Sequence, residues 1–362
     1  MSRLEALAFQ YGSSYDSYLA TERDRQIFWA RDVPGAVAYL RDGRYVHVAG
    51  GLLAAADARP RLMAEIVRWA DHNRLVLSFY NLTDDDLALA REHGFQVTKW
   101  GEEAIVDLPE CTWSGKPYEW LRRQSNFCAR KGVVVAECER VRVSKFEWEN
   151  ITAELHQISQ ALLVKKPQRD EIHFLEGRFD PEHLGRRRLF VARGDGGAGR
   201  VEAFLVCNPG RGGAVWAFET YRRRPGAVRG TMPCLMHQAM RQLQAEGVAA
   251  VSLCLVPGLH CETPLSGDSA LARWSMVIGS RYFSFIHDTR GMYHYKSRFR
   301  PHFDNRYLAV RPRLSLKCAW SFVRVLGVLD LRIGSLLRQT VERLRSAASR
   351  RTLSRPESDA SE

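Results

Sequence analysis

Ala217-Phe-Glu-Thr-Tyr-Arg-Arg-Arg-Pro-Gly-Ala-Val-Arg-Gly230 runs from an apolar segment through a basic Pro/Gly turn into a helix-like stretch. At the mouth of the turn Glu219 stands three residues before Arg222, and Arg223 follows. Far downstream, Tyr295-Lys-Ser-Arg-Phe-Arg-Pro301 and Asn305-Arg-Tyr-Leu308 bring more cations, set among aromatic rings. A carboxylate beside clustered arginines suits the handling of a polyanion better than redox chemistry or hydrolysis.

Working outward, the segments on either side repeat one order. Ala36 to Leu40 and Tyr45 to Val48 flank Arg41-Asp-Gly-Arg44, a hairpin signal because Asp-Gly accepts the positive φ of a tight turn. A helical pattern follows over Arg59–Asp71, then the apolar run Leu75–Phe79, a second helix over Asp84–His93, and strands near Phe95 and Ile105. From Leu189 the order returns. Leu189–Ala192, the turn Gly194-Asp-Gly-Gly197 and Val201–Val206 lead to a helix over Thr231–Glu246 and the apolar run Val251–Leu255. A further helix over Ser269–Met276 and a strand-like Tyr282–Ile286 close the second set. The recurrence predicts a pseudo-duplicated α/β (α+β) protein.

Length and charge agree. The 362 residues are 45% apolar, enough for a buried core divided between two units. Lys and Arg number 53 against 41 Asp and Glu, a formal charge of +12 that favours a phosphate-rich partner, nucleic acid or an anionic membrane surface. The eight cysteines form no Cys-x-x-Cys pair and sit in apolar runs, the pattern of packed, reduced thiols in a cytoplasmic protein. His260-Cys261 with Cys254 lacks a second ligand pair, so no metal site is expected, and no Gly-x-Ser-x-Gly elbow marks a serine hydrolase. No signal peptide or bilayer-spanning run is read in the sequence.

Between the two sets lies Lys116-Pro-Tyr-Glu-Trp-Leu-Arg-Arg-Gln-Ser-Asn-Phe-Cys-Ala-Arg-Lys-Gly132. On a helix, Arg122, Arg123, Asn126 and Arg130 share about 100° of arc while Trp120, Leu121, Phe127 and Cys128 oppose them. One face is basic, for phosphate or for solvent, and the other packs. At the chain's end, Lys317, Ser321, Arg324, Arg332, Ser335, Arg338 and Gln339 fall within about 120° of arc, with Trp320, Phe322, Val325, Val328, Leu329, Leu336 and Leu337 over the rest. That helix either lies in the headgroup plane of an anionic membrane or docks on protein. Residues 346–362 read as a disordered tail.

The recurring order resembles the acyltransferase fold of the GNAT superfamily, in which the turn entering the main helix presents backbone N–H groups to a phosphate. Here that turn is Pro225–Thr231, and its Gly230 meets the superfamily's coenzyme A pattern only in part. Gly101-Glu-Glu-Ala-Ile-Val-Asp107, Leu121-Arg-Arg-Gln-Ser-Asn126 with Lys131-Gly132, Gly177-Arg-Phe-Asp180, Glu219-Thr-Tyr-Arg222 with Pro225, and Tyr295-Lys-Ser-Arg-Phe299 to Arg306-Tyr-Leu-Ala309 occur in one order. Together they resemble the catalytic part of the lysyl- and alanyl-phosphatidylglycerol synthases, the multiple peptide resistance factors. Members of that family usually carry Asp where Glu219 stands.

The resemblance implies two tandem GNAT acyltransferase-like domains, each a mixed, mostly antiparallel sheet flanked by helices. The expected boundaries are 1–115, a basic linker helix 116–132, a catalytic domain 133–312, an amphipathic helix 313–345 and the tail. It also implies transfer of an aminoacyl group from aminoacyl-tRNA, a co-substrate with no separate cofactor, to an anionic phospholipid such as phosphatidylglycerol. The place of action would be the cytoplasm, peripheral to the inner face of the membrane. Such ester exchange needs a positioned, deprotonated hydroxyl and a stabilised oxyanion. Glu219 is the candidate base and Arg222 the candidate anion-binding group, with Lys296 and His173 as further catalytic candidates. Arg122, Arg123, Asn126, Arg130, Arg223, Gly230, Arg298, Arg300 and Arg306 are the candidates for tRNA or phosphate contact, the last three and Lys296 alternating with rings so that cations face a cleft. Other readings stay open: a small hydroxyl or hydroxylamine acceptor, an acyl-CoA- or acyl-carrier-dependent N- or O-acyltransferase, and a basic RNA- or membrane-binding protein without activity.

Overall fold

A computed structural model describes residues 2–163, 174–175, 177, 179–181, 184–282 and 288–327. The first part of the chain holds α1 (Arg3–Tyr11), β1 (Gln26–Trp29), β2 (Gly35–Asp42), β3 (Tyr45–Val48), β4 (Leu53–Ala54), α2 (Arg59–His72), β5 (Val76–Leu82), α3 (Leu87–Glu92) and β6 (Gln96–Asp107). Then come α4 (Glu119–Arg130), β7 (Val134–Glu137), α5 (Lys145–Leu163), β8 (Arg188–Arg193), β9 (Val201–Gly210), β10 (Val215–Arg223), α6 (Thr231–Ala245) and β11 (Ala250–Pro257). The last described elements are α7 (Ala270–Tyr282), α8 (Thr289–Ser297), β12 (His302–Arg311) and α9 (Leu316–Val325).

The repeat is visible in the connections. An antiparallel hairpin, β2–β3, leads through α2 to β5, which pairs parallel to β3. Likewise the β9–β10 hairpin leads through α6 to β11, parallel to β10. Gly43 opens the β2–β3 turn with φ +59°, as Asp-Gly predicts. The two sets then merge into one sheet of order β1-β2-β3-β5-β12-β6-β11-β10-β9-β8-β7, with β4 beside β2. β12, which comes after the second set in sequence, lies between β5 and β6 of the first, antiparallel to both. β6 in turn pairs antiparallel with β11.

Each strand's alternation divides the core. One face of the sheet carries Val37, Phe79, Val97 and Ala309 under α2, and Ala104, Phe218, Val251 and Leu205 under α4 and α6. The other carries Tyr80, Trp100, Ala217, Leu255 and Val310 under α7 and α9, and Val191 and Phe204 under α5. The eight cysteines are free thiols, seven of them buried.

Several expectations are corrected. The helix placed at Asp84–His93 is a 3-10 turn, Asp84–Asp86, capped by Thr83 and Asp86, followed by the short α3. The strands expected near Phe95 and Ile105 are one twelve-residue strand, β6. Tyr282, placed in a strand, ends α7, and 283–287 lie outside the described residues. In the terminal helix, Ser321 turns inward and Trp320 outward, the reverse of the projected arcs. The reason is a buried partner: Ser321 Oγ meets His47 Nε2 at 2.9 Å, while Tyr80 OH meets Nδ1 at 3.0 Å. The rest of that helix, and the tail, lie outside the described residues.

Burial holds the His47 imidazole down at about 4. An unfolded histidine titrates near ~6.5, so between there and pH 4 the unfolded chain takes up a proton that the folded chain refuses. Stability is therefore full above the unfolded value and falls as pH drops through this window, by roughly 3 kcal/mol from this residue. His237, also pushed down to about 4 by burial, adds a second slope. Urea unfolding between pH 7 and 4 should show a shallower loss for His47→Gln than for the parent chain; an unchanged slope contradicts a neutral, buried His47.

Candidate active site

The site is built on a defect in the sheet. β10 and β11 pair in parallel only as far as Ala217 opposite Ser252, and beyond that they part. On β10, register against β9 slips between Phe218 and Thr220, leaving Glu219 as the extra residue of a bulge. Without it, residues three apart on a strand would face opposite ways. With it, Glu219 and Arg222 both point to the face that carries Phe204 and Phe179. Glu219 accepts from the backbone N–H of Gly177 and, at 2.5 Å, from Thr220 Oγ1. Arg222 lies with its guanidinium 5.7 Å from the Phe179 ring centroid.

β11 answers with its own irregularity. Register against β6 slips between Ser252 and Leu255, and Cys254 there adopts φ +65°, a left-handed conformation that is costly for a residue with Cβ. Cys254 Sγ donates to Phe218 O across the gap at 3.4 Å. Burial pushes its thiol up, with the Lys296 charge opposing and the Glu219, Glu103 and Asp16 charges reinforcing the shift. That thiol is therefore protonated and packs rather than attacks.

Lys296 and Arg306 do not face an open cleft as the alternation suggested. Lys296, 4% exposed, reaches from α8 into the gap and donates to Cys254 O at 3.1 Å and Leu255 O at 2.9 Å. Arg306, 3% exposed, pairs with Glu103 Oε2 at 2.6 Å, and Ser252 Oγ donates to the same carboxylate's other oxygen. Both cations sit where strand bulges leave carbonyls or carboxylates to be satisfied in a dry interior. Beside them Asp16 accepts from Asn81 Nδ2 at 2.8 Å and from Ser14, under Tyr15 OH. Burial raises the carboxyl of Asp16.

The phosphate candidates fall on the opposite face. Arg123, Asn126 and Arg130 are exposed along α4, whose Leu121 and Cys128 are buried and Trp120 and Phe127 half-buried, on the projected side; Ser125 is buried as well. Arg122 instead ties down the preceding loop through Trp113 O and Gly115 O. Arg298 lies 4.7 Å over the Trp120 ring, and the exposed Arg300 donates to Pro117 O, so both share the ridge at the start of α4. Arg223 is exposed at the end of β10. Gly230 caps α6 at φ +87° beneath α4: a Cβ there would collide with Gln124 Oε1. With Gly230 and Thr231 buried under α4, the start of α6 is closed rather than open to a pyrophosphate. His173 lies outside the described residues. Sequence reasoning gave no role to Glu103, Ser252, Cys254, Asp16 or Gly177; only the Glu-Glu pair after Gly101 and the Gly177-Arg-Phe run offered a signal.

A profile of the family described as phosphatidylglycerol lysyltransferase, C-terminal, matches residues 5–310. The chain belongs to this family. The phosphatidylglycerol lysyltransferase of Bacillus subtilis is 24% identical over 329 residues, which cover 90% of this chain but 37% of the relative. The chain thus spans little more than a third of the length of such curated relatives. Among solved structures, the C-terminal domain of a putative lysylphosphatidylglycerol synthetase from Agrobacterium fabrum superposes with a TM-score of 0.73 at 22% identity, over 89% of this chain and 94% of the other. L-PGS from Bacillus licheniformis gives 0.71 at 24% identity, over 90% and 96%. The sheet is of the expected class, mixed and mostly antiparallel, with the hairpin–helix–parallel strand connection occurring twice.

Gly177 packs directly against the Glu219 carboxylate. A Cβ there would meet Glu219 Oε2 at 2.8 Å and Leu19 Cδ2 at 3.1 Å. Gly177→Ala should displace the Glu219 carboxylate while costing ~1–3 kcal/mol of stability. A crystal structure and thermal unfolding of the variant check both; an unmoved carboxylate contradicts the assigned contact.

Proposed function

We propose that this chain is the transferase unit of an aminoacyl-lipid synthase, moving an aminoacyl group from aminoacyl-tRNA to the hydroxyl of phosphatidylglycerol or a similar polar lipid at the cytoplasmic side of a membrane. The observation that carries the reading is the β10 bulge, which sets Glu219 and Arg222 on one face beside the gap that Lys296 enters. In this reading Glu219 takes the proton of the acceptor hydroxyl as its oxygen attacks the ester carbonyl. Arg222 offsets the charge of the tetrahedral oxyanion. Collapse expels the terminal ribose oxygen of the tRNA, which takes the proton, so one ester replaces another. Lys296 is a positioning residue that fixes the β11 bulge and its field.

Two faces supply two substrates. Arg123, Arg130, Arg223, Arg298 and Arg300 form the cationic side suited to tRNA phosphates, Asn126 adds a neutral hydrogen-bonding amide, and Trp120 offers a ring for stacking. Membership of a family whose relatives are named phosphatidylglycerol lysyltransferases supports an anionic lipid as acceptor. An acyl-CoA donor is disfavoured by α4 lying over Gly230 and Thr231.

Incubating the chain with charged tRNA and phosphatidylglycerol should give labelled lipid, abolished by ribonuclease. Glu219→Gln should lower kcat by about 10²–10⁴-fold with little change in KM, and Glu219→Asp should retain more activity than Gln. Ribonuclease-resistant labelling, or a Glu219→Gln variant turning over like the parent, overturns the proposal; label that stays in the aqueous phase assigns a small acceptor instead.

A further inference from the structure

α7 and α9 lie on the same side of the sheet as Glu219 and Arg222, α7 over β6 and α9 over β2 and β3, while α5 packs on β10; yet their outward sides are not those of ordinary surface helices. On α7 the solvent-facing stripe is Leu271, Trp274 and Ile278, 37%, 55% and 45% exposed, while Ala272 and Met276 pack inward. On α9, Leu316 and Trp320 stand 73% and 55% exposed, while Cys318 and Ser321 are buried. A helix lying on a core normally turns its polar side out. Here two helices turn rings and branched chains out together.

The two stripes belong to one surface. Gln96, at the start of β6, donates to Asp268 O just before α7 and accepts from Leu314 N just before α9, both at 3.2 Å. His47 and Tyr80 anchor α9 from below through Ser321 and the stacked Phe322 ring. The platform is therefore fixed. Neither 270–282 nor 311–327 contains an Asp or Glu; Arg273 and Arg324 are paired with Asp268 and Asp42 of adjoining segments, whereas Arg313 and Lys317 are exposed beside Leu316.

We infer that the outer faces of α7 and α9 form a docking surface for an anionic bilayer, the indoles of Trp274 and Trp320 seating at headgroup depth with Arg313 and Lys317 against lipid phosphates. Indole rings suit that boundary because one edge is apolar and the other donates a hydrogen bond. Basic residues at its rim gain from the negative surface potential of anionic lipid. A second copy of this chain is a poorer occupant, since apposed faces would bring the same cations together. The inference deepens the proposed transfer reaction and rests on it for orientation: docking this way presents the Glu219 face to the lipid and leaves the α4 ridge in water.

Sedimentation with vesicles tests it without reference to catalysis. The chain should bind vesicles of three parts phosphatidylcholine to one part phosphatidylglycerol and leave phosphatidylcholine vesicles in solution. Trp274→Ser with Trp320→Ser should weaken binding by about tenfold or more at unchanged thermal stability. Arg313→Gln and Lys317→Gln should each weaken it by about fivefold, an effect erased by high salt. Transfer to water-soluble short-chain phosphatidylglycerol should survive all four substitutions, while transfer to vesicle lipid falls. Failure of the parent chain to bind anionic vesicles, equal binding by the double tryptophan variant, or a dimer that this variant splits would each overturn the docking surface. If no lipid accepts label yet vesicle binding depends on these residues, the docking surface stands and the transfer reading falls.

Discussion

Ten residues, His302–Arg311, lie between β5 and β6, and this places the Arg306 guanidinium in the middle of the sheet, where it must be neutralised. Its partner Glu103 comes from β6, and the pair is 3% exposed on each side. A charge so placed costs several kcal/mol if left alone, so each residue is committed to the other. Ser252 of β11 adds a hydrogen bond to the same carboxylate, which ties three strands from distant parts of the chain at one point. Through this tie the two hairpin–helix–strand units become one sheet, and the gap next to it inherits a fixed geometry.

Interruptions in that sheet make the site. Regular strands would have sent Glu219 and Arg222 to opposite faces and paired β10 with β11 along their length. Two bulges, one on each strand, turn the carboxylate and guanidinium the same way and leave carbonyls of β11 for Lys296 to satisfy. The sheet also separates two chemical environments. On one side α4 and the Trp120 ridge are cationic and wet; on the other, α7 and α9 are apolar with a cationic rim.

The sequence carried what depends on local periodicity. The β2–β3 hairpin, α2, the basic outer face of α4, α6 and β11 were legible because apolar spacing and Asp-Gly or Gly punctuation fix them within a few residues. Glu219 and Arg222 were legible as a pair, but the bulge that lets them face one way was not, since register slips leave no composition signal. The alternation over residues 295–307 suggested cations outward and rings inward. It failed for Lys296 and Arg306 because the stretch spans a helix end and a strand, and because buried partners 41 and 203 residues away outweighed the local pattern. Ser321 and Trp320 exchanged places for the same kind of reason, a buried His47 that needed a hydroxyl.

Native-state hydrogen exchange of Arg306→Ala against the parent chain tests most directly whether one interlocked sheet underlies the site. Amides of β3 and β5 in the first unit and of β9 and β10 in the second should lose protection together, each by about 3–5 kcal/mol, because removing the guanidinium strands Glu103 at the seam. Loss confined to one unit, with the other keeping its full protection, would contradict the account.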